Sequence, residues 1–283
     1  MNNSDVEEFD KEMPTESEFS SFIHSNRPLV IRSYYQKQSQ SNHHHISTIG
    51  STWSEKLLID RLGNEKLLTV ARTPSGNSDS IVNEEYFVEP NYEKMTLECL
   101  INELRPISPT ETEQRDVIYL QSQDNNLHKE FNALIPDIGL EVPIASAAIG
   151  GGVKPDAVNI WIGDDRSITS LHKVLEGSKT FTIFPPTEFY CMHETRYKSG
   201  RYIKDSETNQ WTIKPNEDQT LIPWIPIDPL NPNIEKFPRF QFARAMTITL
   251  MEGDLLYLPS LWFHHVQQHR TTPTGLVVAC NWW

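Results

Sequence analysis

From Asp116 onward, apolar residues come in short runs rich in Val, Ile, Leu, Phe and Trp. Residues 117–120, 157–162, 180–184, 246–250, 255–258, 264–268 and 276–282 each form such a run, and Pro, Gly and Asp punctuate the spaces between them. Each run predicts a short strand. Many short strands with punctuated turns predict a sandwich or barrel. The first part of the chain has a different pattern. Thr15 and Glu18 have capping-box spacing, and Phe19, Phe22 and Ile23 follow on one helical face. Residues 28–31 and 67–71 predict strands, and 73–76 a turn. Residues 54–62, ended by Gly63, and residues 96–104 predict helices. Residues 36–51 are polar and include His43, His44 and His45. Adjacent histidines cannot all face one metal, so a loop is expected there. The pattern divides the chain into a loose acidic tail over 1–13, an N-terminal α/β portion over 14–115 that packs on the core, and a β core over 116–283. A proline- and aromatic-rich insert at 187–239 is expected over one mouth of that core.

Composition narrows the function classes. The chain has 283 residues, 37% hydrophobic and 22% charged, which suffices for a sizeable core. No stretch is apolar for the ~18 residues a membrane span needs. The formal net charge of −13 opposes general binding to phosphate backbones and suits a basic protein or peptide partner, although acidic surfaces also serve solubility alone. Cys99, Cys191 and Cys280 are scattered without a CxxC pair, which fits a reducing compartment. The acidic N-terminus has the character of neither a signal nor a transit peptide, and no basic cluster of nuclear-signal type occurs. Cytoplasm, nucleus or both is the expected residence.

Two segments carry candidate chemistry. One is Ile168-Thr169-Ser170-Leu171-His172-Lys173. The other runs from Gly253-Asp254 through Leu258-Pro259 to Trp262-Phe263-His264-His265-Val266. Two histidines so far apart in sequence meet only if distant strands lie side by side, as in a barrel. An iron(II) oxygenase needs two histidines and a carboxylate on one face of the metal, with the other positions open. Taken singly, His172, Tyr119, Trp161 and Lys179 have ordinary surface or core readings, and His265 and His269 are expected to be structural. Cys280 is expected to be a small buried hydrophobe.

Together these segments resemble the JmjC-domain oxygenases, as do Asn26-Arg27-Pro28, Ile118-Tyr119-Leu120-Gln121, Pro155-Asp156-Ala157-Val158-Asn159 and Pro223-Trp224-Ile225-Pro226. The resemblance implies a mainly β fold with flanking helices around a double-stranded β-helix (jelly-roll, cupin-like) core. It implies Fe(II) held by His172 and His264, and 2-oxoglutarate held by Lys179 with Thr169 and Tyr119. Asn281 would lie near this cosubstrate, with Trp161 and Trp283 walling the pocket. The activity implied is protein hydroxylation of a lysine in a translation-associated GTPase; a peptidase activity on methylated histone tails is also ascribed to the most similar branch.

The sequence departs from the family at two places. The family writes His-Lys-Asp, then a strand, then a Gly-x-Lys turn. Here His172-Lys173 runs directly into Val174-Leu175-Glu176-Gly177-Ser178-Lys179. By that comparison about eight residues are missing, roughly 26 Å of strand, including the metal aspartate. One core strand is thus expected to be absent after His172, with Glu176 the nearest substitute carboxylate. A real shortening, an isoform or a misassembled coding sequence would each explain this; intact Thr169, Lys179 and His264 favour the latter two. A real shortening would leave a catalytically impaired interaction protein. A plain cupin-type small-molecule binder or sugar isomerase would not need the Thr169, Lys179 and Tyr119 set. The second departure is that the chain stops at Trp283, without the helices that follow the last strand in the family, so dimerisation is expected to be weak or absent.

Overall fold

The computed structural model describes residues 6–41, 53–77, 79–106, 115–122, 124–166, 173–218, 220–270 and 275–283. Before the core come strands β1 (Glu7–Phe9), β2 (Leu29–Ile31), β3 (Leu67–Thr73), β4 (Ser80–Val82), β5 (Tyr86–Glu89), β6 (Asn91–Thr96) and β7 (Val117–Tyr119). The core strands are β8 (Val158–Gly163), β9 (Lys173–Glu176), β10 (Ser178–Phe184), β14 (Met246–Leu250), β15 (Leu255–Tyr257), β16 (Phe263–His269) and β17 (Val277–Trp282). Between β10 and β14, the insert carries β11 (Thr195–Lys204), β12 (Trp211–Pro215) and β13 (Leu221–Trp224).

Two small antiparallel sheets carry the candidate site. One has the order β8-β17-β9 and the other β14-β10-β16. Alternation along each strand sets their faces. On β8 and β17, Val158, Ile160, Ile162, Val278 and Cys280 point outward into the main hydrophobic cluster. That cluster is completed by helices of the N-terminal portion. Helix α1 (Glu16–His24) contributes Phe19 and Phe22. Helix α2 (Tyr34–Ser41) contributes Tyr34 and Tyr35. Helix α3 (Glu55–Leu62) adds Leu58, and α4 (Leu97–Leu104) adds Leu97, Leu100, Ile101 and Leu104. Both faces of β8 and β17 are therefore covered, which is why these strands read as continuous apolar runs. Each fully buried Leu, Ile or Phe contributes about 1.5–3 kcal/mol.

Local signals fix the helices. Thr15 and Glu18 form the reciprocal capping box on α1. Ser54 caps α3 and Gly63 ends it at φ +80°, and Thr96 caps α4.

The structure corrects several expectations. The segment read as a loose tail contributes β1, which pairs in parallel with β2 through Glu7↔Leu29 and Phe9↔Ile31; a three-residue strand in an acidic stretch has too little apolar signal to be seen. Residues 36–41, read as loop, continue α2 from Tyr34; its Gln and Ser side chains mask the period that Tyr34 and Tyr35 anchor. His43, His44 and His45 lie outside the described residues. The shortened segment after His172 forms β9, only four residues long. It pairs β17 with a register shift between Val278 and Ala279. Gly177, at φ +81°, then turns the chain into β10; a Cβ there would lie 3.0 Å from both the His269 carbonyl oxygen and Val277.

The strands of the insert join β4 and β5 of the N-terminal portion in one five-stranded sheet. β11 pairs antiparallel with β12 and β13, and parallel with β5 of the N-terminal portion. Among the described residues, no helix is long and apolar enough to cross a membrane.

Candidate active site

Antiparallel register places Lys179 opposite Gln268, Phe181 opposite Val266, and Ile183 opposite His264. Directly opposed residues share a face, so Lys179, Gln268 and His264 all stand on the inward side of β10 and β16. Lys179 and His264 are separated by four residues along this ladder, about 13 Å of strand. Phe181, Ile183 and Val266, all fully buried, lie between or beside them and exclude water from the strip.

Lys179 is 0% exposed. Its Nζ donates to the Tyr119 hydroxyl at 3.3 Å and sits 5.8 Å from the centre of that ring. Burial holds its pKa well below the ordinary lysine value, opposed only by the nearby Cys280 thiol. In its charged form this group, with one neutral oxygen as its hydrogen-bond partner, is strongly under-compensated. It gains most from a carboxylate.

The polarity of the surrounding hydrogen bonds is set by Gln268, which is 1% exposed. Its Nε2 donates to the Asp164 carbonyl at 2.9 Å. That turns Oε1 toward Tyr119, whose hydroxyl donates to it at 3.5 Å. The phenol oxygen then offers its lone pair to Lys179. Tyr119 reaches this position across β8 because residue 163 is glycine: a Cβ there would come within 2.4 Å of the Tyr119 ring and 3.1 Å of Gln268 Nε2.

His264 is neutral by construction. Burial is the main cause of its lowered pKa, with His265 adding to it and the Trp262 carbonyl opposing it. Its Nδ1 lies 3.3 Å from the Trp262 carbonyl oxygen, so Nδ1 carries the proton. Nε2 therefore carries the lone pair, buried and without a hydrogen-bond partner. A neutral imidazole with an orphaned Nε2 is what a metal ligand requires.

His264 lines a cavity of about 670 Å³. It is lined by Trp161 and Phe184, by Asn77, Asp79, Ser80 and Ile81, by Gln121 and by residues 223–230 of the insert. The insert thus borders the cavity opposite the core strands.

Of the sequence-derived site residues, Tyr119, Lys179 and His264 come together on the inward side. Asn281 lies on β17 opposite Asn159, on the same face as Ala279, which packs with Tyr119 and Trp161. Asn281 Oδ1 accepts from Asn159 Nδ2 at 3.2 Å, which leaves its own buried Nδ2 as an unpartnered donor. Trp161 walls the cavity as expected. Trp283 does not: it is 57% exposed, and its backbone ties to Asp156 and Ala157 at the end of β17. His265, expected to be structural, also borders the cavity. His172 and Thr169 lie outside the described residues. Among the described residues no three His, Cys, Asp or Glu side chains come together as a metal-ligating group. His264 and Lys179 thus fit a metal and an acidic cosubstrate, whereas a carboxylate ligand is not found among the described residues.

Sequence reading missed Gln268, Gln121 and Asp79. Gln268 had a usable signal: it follows His264 and Val266 at strand period, so it shares their face. Gln121 and Asp79 follow no periodicity.

Comparison with known proteins agrees with this geometry. The sequence pattern of the cupin-like domain family matches residues 14–283. The chain is 32% identical to the human bifunctional peptidase and (3S)-lysyl hydroxylase JMJD7, over 94% of this chain and 79% of the relative. It is 29% identical to JmjC domain-containing protein E of Dictyostelium discoideum, over 99% of this chain and 83% of that one. It is also 29% identical to the lysine-specific demethylase JMJ32 of Arabidopsis thaliana, over 82% of this chain and 70% of that one. With a β core of the expected kind and a match across nearly its whole length, the chain belongs to the JmjC-type cupin-like family.

Proposed function

We propose that the chain is a JmjC-type oxygenase that uses Fe(II) and 2-oxoglutarate to hydroxylate a lysine-containing protein. The observation that carries this reading is Lys179: a fully buried cation on the same inward face as His264, short of a carboxylate. A dicarboxylate would place one end on Lys179 and the Tyr119 hydroxyl, leaving its other end toward His264. The iron would supply oxygen activation. The chain's own residues do the rest. Lys179 and Tyr119 anchor, Gln268 orients Tyr119, Phe181 and Val266 keep the strip dry, and the cavity beside His264 admits the substrate side chain. The lysine assignment follows the similarity to proteins named for lysyl hydroxylation and lysine demethylation.

A second reading is favoured by the lack of a three-ligand group among the described residues: a non-catalytic protein that keeps the cosubstrate pocket and partner surface. Conversion of 2-oxoglutarate to succinate by the full chain with Fe(II) and ascorbate separates the two. Iron-dependent succinate that disappears in Lys179→Met supports the oxygenase. Binding of 2-oxoglutarate without succinate formation supports the second reading, and no binding at all removes both.

A further inference from the structure

The cavity beside His264 has an uneven charge. Among its described lining residues there is no lysine or arginine, and there are three carboxylates, Asp79, Glu194 and Asp228. Glu194 and Asp228 are exposed at the rim. The Asp228 oxygens are already engaged by the Leu230 amide at 2.9 Å and Asn231 Nδ2 at 3.3 Å. Asp79 differs from both: it is partly buried. It sits just before β4 in left-handed backbone at φ +54°, a conformation aspartate tolerates better than most residues. Burial, and secondarily the charge of Glu89, push its carboxyl up to about 6. No cation opposes that shift. Tyr92 and Gln121 pack nearby, with Arg201 directed at Glu89, 3.8 Å away.

A half-buried carboxylate facing a cavity without a counter-ion is a ready site for one. Here the missing partner has room to arrive from outside, because the group lines the same cavity as His264.

We infer that Asp79 is the cation-reading group of this cavity, and that it selects a substrate side chain whose ammonium still carries N–H bonds over a trimethylated one. The inference rests on the reading that the His264 cavity receives the substrate. The chemistry follows from what each ion can donate. A carboxylate only accepts hydrogen bonds, so a primary ammonium gains charge-assisted bonds that a quaternary one cannot make. A quaternary ion instead needs the free faces of an aromatic cage. Five of the six described lining rings are already engaged: Phe184 with Phe240 at 5.6 Å, Trp161 with Tyr119 at 5.8 Å, Trp224 with Phe87 at 4.7 Å, and Phe263 with Phe189 at 6.4 Å; a single remaining ring, Trp262, does not make a cage.

The test uses the full chain without iron or 2-oxoglutarate. Three short glycine peptides, carrying lysine, trimethyl-lysine or norleucine at the same place, are titrated by calorimetry and tryptophan fluorescence. The lysine peptide is expected to bind about tenfold or more tighter than the other two, as one charge-assisted hydrogen bond allows. Asp79→Asn should reduce it to the norleucine level. Equal or tighter binding of the trimethyl peptide, indifference to Asp79→Asn, or no saturable binding of any peptide each overturns the assignment. Because the readout needs no turnover, an inactive protein can still pass it. An active one can fail it, which would discard Asp79 and leave the oxygenase reading in place.

Discussion

Asp79 is a half-buried carboxylate on the wall of the cavity. Its carboxyl sits near 6 rather than 3.8 because burial disfavours the ionised form. The sign of the stability effect follows from linkage. Well below 3.8, the group is protonated in folded and unfolded chains alike, and no penalty exists. Between 3.8 and about 6 the unfolded chain releases this proton while the folded chain holds it, so stability falls, and the loss is complete once pH has risen through about 6. The loss is at most about 3 kcal/mol, at 1.36 kcal/mol per pH unit, and smaller to the extent that the side chain stays wet. Asp79→Asn is therefore expected to raise the thermal midpoint at about pH 8 and to lose that gain toward about pH 4. Equal shifts at both pH values, or destabilisation at pH 8, would remove the burial argument. This is the stability cost expected of a binding group. Residues of this kind are poorly legible in a sequence. His264 and Lys179 stand in strand runs that also match a family motif, whereas Asp79 is one acidic residue among many in a polar turn.

At the scale of elements, the site depends on how closely β7 approaches β8. Leu120 bridges Ile162 through a pair of backbone hydrogen bonds, at 2.9 Å and 3.2 Å, which draws the two strands together. The Tyr119 ring then passes over residue 163 at a distance no Cβ permits. Gly163→Ala should push Tyr119 away from Lys179 and Gln268, at about 1–3 kcal/mol of stability for an overpacked core. It should also weaken 2-oxoglutarate binding by about tenfold or more, because Lys179 loses its hydrogen bond to the Tyr119 hydroxyl. Denaturant unfolding and calorimetric titration of the same variant check both. Unchanged cosubstrate affinity would mean that Tyr119 is packing alone. The core strands were visible from sequence because both faces of β8 and β17 are covered and their runs end at Pro, Gly or Asp. β4, β5 and β11 to β13 were not. Their pairing spans the N-terminal portion and the insert, with half-exposed and polar residues that carry no clear period. Tertiary pairing, not local pattern, makes those segments strands.

At the scale of the whole molecule, the shortened segment after His172 decides what the two sheets can do together. The β14-β10-β16 sheet presents Lys179 and His264; the β8-β17-β9 sheet faces them with Trp161, Ala279 and Asn281. In the family the residue after His-Lys is an aspartate, and in this chain it is Val174. Val174 stands opposite Ala279 in the β9–β17 register, and Ala279 packs with Tyr119 and Trp161. The backbone thus still brings position 174 to the inward region even though the segment is short. Imidazoles alone hold a divalent iron weakly, since the carboxylate supplies charge as well as a bond. Even outer-shell partners of metal ligands change affinity by about 10–100-fold, so a directly bound carboxylate should do at least as much. Val174→Asp is accordingly expected to raise Fe(II) affinity by about tenfold or more over the unmodified chain. His264→Ala in the same background should abolish the gain, both read by metal titration under anaerobic conditions. A gain that depends on His264 would mean that the shortened strand preserves the metal geometry and lacks only the charge. No gain would mean that the lost residues carried the geometry too, and the binding-protein reading would then account for the retained Lys179 pocket and cavity.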